Sequence, residues 1–141
     1  MNIAFIAHDS KKELMVQFCI AYYGILIKHD LCGTGKTAKT LNEATKLSVQ
    51  KYMHGAQGGI QQIVGRIACD EIDILFFFRD PNSRQEDGRP DDTNILRMCD
   101  IHNIPLATNL ATAESLIQAL DRGDLKWREI ERERNQKMQF L

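Results

Sequence analysis

Gly33-Thr34-Gly35-Lys36-Thr37 joins an apolar run to a helix-patterned segment, and its residue types suit one task, the holding of an anion. A strand that turns through glycines into a helix aims unbonded main-chain N–H groups and the positive end of the helix dipole at one point. Lys36 adds a full positive charge there. The stretch is not a nucleotide-hydrolase P-loop: the pattern G-x-x-x-x-G-K-[ST] would require glycine where Asp30 stands. Taken alone it is also compatible with an ordinary strand-to-helix turn carrying a surface lysine. Histidines and carboxylates able to move protons occur at His8-Asp9, at His54 and at Asp80 and Asp91.

The elements that must position these groups follow from hydrophobic periodicity. Residues 2–7 form a short apolar run, the mark of a strand covered on both faces. Residues 11–23 place Leu14, Met15, Phe18, Cys19 and Tyr22 on one helical stripe, entered through Asp9 or Ser10 as cap and closed by Gly24. A second apolar run within 25–32 feeds the glycine turn, and 37–46 reads as a helix with Leu41 and Ala44 or Thr45 inward. Residues 47–53 are a third strand. After the glycine-rich turn at 54–59 comes a helix with Ile60, Ile63, Val64, Ile67 and Ala68 in period. Residues 72–78 are a buried strand stopped by Arg79-Asp80-Pro81, and 82–90 a polar surface loop. Asp91 or Asp92 caps a helix holding Ile95, Leu96, Met98 and Cys99; 104–107 is a fifth strand and 111–120 the last core helix, closed near Gly123.

This alternation predicts a single-domain α/β fold, a doubly wound parallel sheet of about five strands with helices on both faces. The domain is expected over 1–123, with 124–141 a charged helical or flexible tail pinned to the body or to a neighbouring subunit by Trp127 and Ile130. In such sheets ligands bind beyond the carboxyl ends of the strands. The expected ends are His8-Asp9, residues 34–37, His54-Gly55, Arg79-Asp80 and Thr108-Asn109, and each is polar or glycine. Their convergence on one rim predicts a pocket for a polar or anionic ligand.

Composition bounds the partners. With Lys+Arg 18 against Asp+Glu 19 the formal net charge is -1, which supplies no global basic field for a nucleic-acid polymer. Cys19, Cys32, Cys69 and Cys99 are widely spaced in apolar surroundings, so buried reduced thiols are expected and neither a metal site nor a disulfide framework. No run approaches the roughly 20 apolar residues of a membrane span, and a cytoplasmic protein is expected.

In order and spacing these residues resemble the methylglyoxal synthase family from Asn2 to about Leu120. The matches are Ile-Ala-His-Asp followed by Lys12, Thr-Gly-Lys-Thr at 34–37, Glu43-Ala44-Thr45, the Gly58-Gly59 turn, Phe-Arg-Asp-Pro at 78–81, Pro90-Asp91, and Ile-Pro-Leu-Ala-Thr-Asn at 104–109. The resemblance implies a flavodoxin-like domain, assembled as a hexamer, with a pocket for dihydroxyacetone phosphate at the strand ends. Family members release methylglyoxal and phosphate from it with no metal or organic cofactor. It implies that Lys12, Thr34, Thr37 and Gly55 hold the phosphate, beside Gly35 and Lys36 of the same cradle, and that His8, Asp9, Asp80 and Asp91 line the reacting end.

The departures gather at the chemistry. The family's turn reads Ser-Gly-Pro-Leu/Met-Gly-Gly-Asp, its last aspartate being the general base, whereas this chain runs from His54 to Ile60 there; Gly88 stands where a histidine is common. Lys36, His54 and Arg89 all shift the rim toward positive charge. On these grounds a non-catalytic protein is expected, one that binds or sequesters a phosphorylated small molecule such as a nucleotide or nucleotide-derived signal. Lys12, Thr34, Gly35, Lys36, Thr37 and Gly55 would grip phosphate, and His54, Arg89 and Asp80 the remainder. The alternative is a methylglyoxal synthase whose base is relocated to Asp9, Asp80 or Asp91. A third class, a purely structural or interaction protein, rests on Trp127 and Ile130 alone.

Overall fold

In the computed structural model, which describes residues 1–54, 58–82 and 92–139, the first apolar run lies at the centre of a sheet. Strand β1 (Asn2–Ala7) pairs in parallel with β2 (Asp30–Gly33) on one side and β4 (Ile74–Phe78) on the other. Strands β3 (Val49–Lys51) and β5 (Leu106–Ala107) add outside β2 and β4, again in parallel. The order is β3-β2-β1-β4-β5, so the chain reverses its direction of travel across the sheet between β1 and β4. This is the expected α/β, flavodoxin-like, doubly wound class.

Side-chain alternation along β1 and β4 builds two cores. Ile3, Phe5, Ile74, Phe76 and Phe78 face α1 (Lys12–Ala21), α3 (Gly35–Ala44) and α6 (Leu110–Arg122) through Met15, Phe18, Leu41 and Ile117. Ala4, Ile6, Leu75 and Phe77 face α4 (Gly59–Ala68) and α5 (Thr93–Ile101) through Ile63, Ile67, Ile95 and Cys99. Phe5 and Phe76, opposite one another in the register, stack at 5.6 Å. Each such buried side chain contributes about 1.5–3 kcal/mol, which fixes the register that aligns the ends of β1 and β4.

Several boundaries differ from the periodicity. The first helix breaks at Tyr22 and resumes as α2 (Tyr23–Leu26), so Gly24 lies inside a helix. Gly24 is not among the glycines of positive φ and therefore supplies no left-handed stop. Neither Asp9 nor Ser10 caps α1: both sit in a 3₁₀ turn (Asp9–Lys11) with side chains engaged elsewhere, Asp9 on Lys12 and Ser10 on Asp80. Helix α3 starts at Gly35; it turns Thr37, Ala38 and Leu41 inward and leaves Ala44 exposed. Strand β3 is short because the Asn42 side chain takes both the N–H and the carbonyl of Val49, ending the ladder from the side. Strand β5 begins after Pro105, which has no N–H to offer a ladder.

One cysteine departs from the expected pattern. Cys19, Cys32 and Cys99 are buried, and burial pushes the thiols of Cys19 and Cys99 up to about 12; Cys69, at the end of α4, is exposed. A thiolate is the reactive form. An aromatic disulfide reagent at neutral pH should therefore titrate the Cys69 thiol rapidly in the native chain and all the cysteines only after unfolding.

Beyond α6, closed by Gly123 in the left-handed region, the chain forms α7 (Trp127–Gln139). Its anchor is charged. Trp127 and Ile130 are exposed, while Arg128 is buried and donates to the Asn103 carbonyl at 2.6 Å. Arg128 Nε lies 3.5 Å from Asp73 Oδ1, and Arg132 donates to the same oxygen. Asp73 is fully buried at the N-terminal edge of β4, and its Oδ2 accepts the N–H of Asn2 at 2.8 Å. Among the described residues no helix is long and apolar enough to cross a membrane.

Candidate active site

The point where a doubly wound sheet reverses leaves a crevice at the carboxyl ends of its two central strands. Here those ends deliver His8-Asp9 from β1 and Arg79-Asp80 from β4, with β2 supplying Thr34 and the start of α3 alongside.

Ala7, the last residue of β1, ties the cradle together. Its N–H donates to the Thr37 hydroxyl at 3.2 Å and its carbonyl accepts from Lys12 Nζ at 2.8 Å. The Thr34 hydroxyl donates to Thr37 at 3.1 Å. A threonine hydroxyl has one proton and two acceptor positions, so Thr37, with both positions filled, is left with a proton to donate. Lys12 also donates to Asp9 Oδ1 at 2.8 Å, which leaves one ammonium proton for a ligand.

Gly35 works as space. Its N–H is taken by the Met53 carbonyl at 2.8 Å. A Cβ added at this position would meet His54 Nδ1 at 2.8 Å and the Tyr52 carbonyl oxygen at 2.9 Å. The main-chain N–H groups of Lys36 and Thr37 meet no acceptor among the described residues and point outward from the first turn of α3, where a negative charge is favoured. The Lys36 side chain is exposed on the same turn. His54 comes up against Gly35, and its Nδ1 is buried without a partner among the described residues.

The proton-moving groups sit on the other side of Ala7. His8 extends the β1–β4 ladder by one bond, its N–H donating to the Phe78 carbonyl at 3.1 Å. Its ring packs edge-on against Phe77, accepts the N–H of Asp80 at Nδ1 (2.9 Å) and meets Asp92 Oδ2 through Nε2 (3.1 Å). Asp80 has both oxygens engaged: Oδ2 accepts from the Ser10 hydroxyl at 2.7 Å and Oδ1 from the Asn82 N–H at 2.9 Å. These bonds, Ser10's foremost, hold its carboxyl below the usual carboxylate range. Asp9 is exposed at the rim beside Lys12. Gly55, Arg89 and Asp91 lie outside the described residues.

Two participants were not legible as such in the sequence. Asp92 and Ser10 both read as helix caps, and an acid or a serine ahead of a helix gives the same signal whether it caps or reaches across to another strand end. Ile60 is half-buried in the first turn of α4, packed against the second core.

The MGS-like domain model matches residues 15–108. The chain is 60% identical over 130 residues to a methylglyoxal synthase of Caldicellulosiruptor saccharolyticus, covering 92% of each chain. To a methylglyoxal synthase of Oceanobacillus iheyensis it is 51% identical over 137 residues, 97% of each. The crystal structure of methylglyoxal synthase from Elizabethkingia anophelis NUHP1 superposes with a TM-score of 0.78 at 38% identity, over 82% of this chain and 76% of that one. These likenesses overturn the expectation of a non-catalytic, sequestering protein. That expectation rested on a single base position and a handful of rim charges, whereas identity of this extent to proteins named as synthases favours retained lyase activity. The chain belongs to the methylglyoxal synthase family.

Proposed function

We propose that the chain is a working methylglyoxal synthase, converting dihydroxyacetone phosphate to methylglyoxal and phosphate. The observation that carries this reading is the 60% identity over 92% of both chains to a protein of that name. The geometry supports a division of labour. Lys12 Nζ, the Thr37 hydroxyl and the N–H groups of Lys36 and Thr37 face one small region beside Ala7 and would take the phosphate, with Thr34 orienting Thr37 and Lys36 adding long-range charge. A base removes a proton from the hydroxymethyl carbon, the electrons pass into an enediolate, and the carbon–oxygen bond to phosphate breaks. The enol so released becomes methylglyoxal by taking a proton at carbon.

Ile60 can accept no proton, so the base comes from elsewhere on the rim. Asp80 suits this poorly, because the bonds that stabilise its carboxylate also make it a weaker base. Asp9 is favoured by position: it stands at the carboxyl end of β1, exposed, although its Oδ1 is also engaged, by Lys12, the lysine that would hold the phosphate. The family resemblance further supports a homo-oligomer, a hexamer, working in the cytoplasm. Purified protein given dihydroxyacetone phosphate and no added metal or organic cofactor should produce methylglyoxal and phosphate in equal amounts. Phosphate release without methylglyoxal would mean a phosphatase and would sink this reading.

A further inference from the structure

We propose that Asp92 is a positioning residue that, with the main chain of Asp80, locks His8 in one tautomer at the mouth of the site. The inference rests on the synthase reading only for its kinetic consequences; the lock is a property of the folded chain.

A main-chain N–H can only donate. Asp80 N–H points at His8 Nδ1 at 2.9 Å, so Nδ1 must present its lone pair. The ring proton therefore resides on Nε2, which lies 3.1 Å from Asp92 Oδ2 and donates to it. Arg79 Nε stands 3.9 Å from the same oxygen. The ring is also confined sterically, edge-on to Phe77. His8 and Asp92 are both largely shielded, with side-chain exposures of 19% and 20%, so the bond is only partly open to competition from water. The lock spans three strand ends or helix starts: His8 follows β1, Asp80 follows β4 and Asp92 precedes α5.

The consequence is chemical. With Nδ1 occupied by a backbone donor, His8 has no free lone pair and presents an N–H at Nε2. Its one N–H is spent on Asp92, so the ring is withheld from duty as a base and is held in a fixed orientation at the mouth of the crevice. A carboxylate in this place selects that state. Without it the Nε2–H has no partner among the described residues, and the Asp80 N–H and the Phe77 edge alone orient the ring.

The test uses the full chain labelled with ¹⁵N-histidine, the His8 signals being assigned from a His8→Gln spectrum. Wild type is expected to show His8 as the neutral Nε2–H form with a slowly exchanging ring proton. Asp92→Ala should lose that slow exchange and lower kcat on dihydroxyacetone phosphate by about 10- to 100-fold, the weight of one charge-assisted hydrogen bond. KM should stay within about threefold, since no phosphate contact is touched. Asp92→Asn, whose amide oxygen still accepts from Nε2–H, should recover part of both readouts. A wild-type His8 protonated at Nδ1, or an Asp92→Ala chain with unchanged ring exchange and unchanged kcat, overturns the proposal. If the wild type has no synthase activity the functional reading fails, and the ring spectra still decide the lock by themselves.

Discussion

Asp73→Ala should lower the unfolding free energy by about 3–5 kcal/mol, the cost of removing one partner from a buried ion pair. Asp73 is fully buried, and its oxygens take the Asn2 N–H, the Arg132 guanidinium and the flank of Arg128. Removing it leaves the Nε side of Arg128, whose side chain is only 5% exposed, without its buried carboxylate, while Asn103 and Asp70 still hold the far end of the guanidinium. It also unfastens α7 from the edge of the sheet and leaves the first N–H of β1 without an acceptor. Arg132→Ala should cost much less, because Arg132 is more exposed and Arg128 still neutralises the aspartate. Urea unfolding followed by far-UV circular dichroism measures both. Asp73 lies at the N-terminal edge of β4 and the site at the other, some 16 Å of strand away. The folded fraction of Asp73→Ala should therefore keep its KM. Equal losses for the two variants would show that α7 is held by something other than this cluster.

Asp9→Asn should lower kcat by about 10²- to 10⁴-fold, the range typical of a lost general base. The substitution keeps size and hydrogen-bonding capacity and removes only the basicity and the pairing with Lys12. Asp80→Asn should cost far less, since its side chain accepts structural bonds from Ser10 and Asn82 that an amide oxygen can partly reproduce. The decisive companion is Ile60→Asp made in the Asp9→Asn background. Residue 60 sits in the first turn of α4, where a carboxylate is favoured by the helix dipole, and the lost burial of Ile60 sets an upper cost of about 1.5–3 kcal/mol. The double variant should regain about tenfold or more over Asp9→Asn. An Asp9→Asn chain with wild-type kcat would remove Asp9 from the chemistry.

How much of this was legible in the sequence varies with the physics involved. The strands and the longer core helices announced themselves through their apolar periods, because burial on one face or both is what the period records; the short helix α2 did not. The rim was legible too, as polar residues ending apolar runs at each strand. The length of β3 was not, since Asn42 reaches the backbone of Val49 through a side chain that has no periodic signature. The break at Tyr22 and the helical Gly24 were missed because glycine usually ends a helix, and inside one it costs only about 1 kcal/mol, which the packing of Leu26 offsets. The Asp73–Arg128–Arg132 cluster was hidden for a related reason: one charge in a strand-like run and two in a charge-dense tail look like solvated residues until the fold brings them together. Function misled in the opposite direction. Ile60 and the positive shift at Lys36, His54 and Arg89 were read as the loss of a reaction, and extensive identity to named synthases outweighs a reading built on those few positions.

The central claim, that this site turns over its substrate without an acid at residue 60, is tested most directly by assaying the purified chain beside the Caldicellulosiruptor saccharolyticus relative on dihydroxyacetone phosphate. Methylglyoxal should appear at a rate within about tenfold of the relative's, a difference of no more than about 1.4 kcal/mol in the activation barrier. A rate no greater than the spontaneous loss of phosphate from the same substrate solution would contradict it.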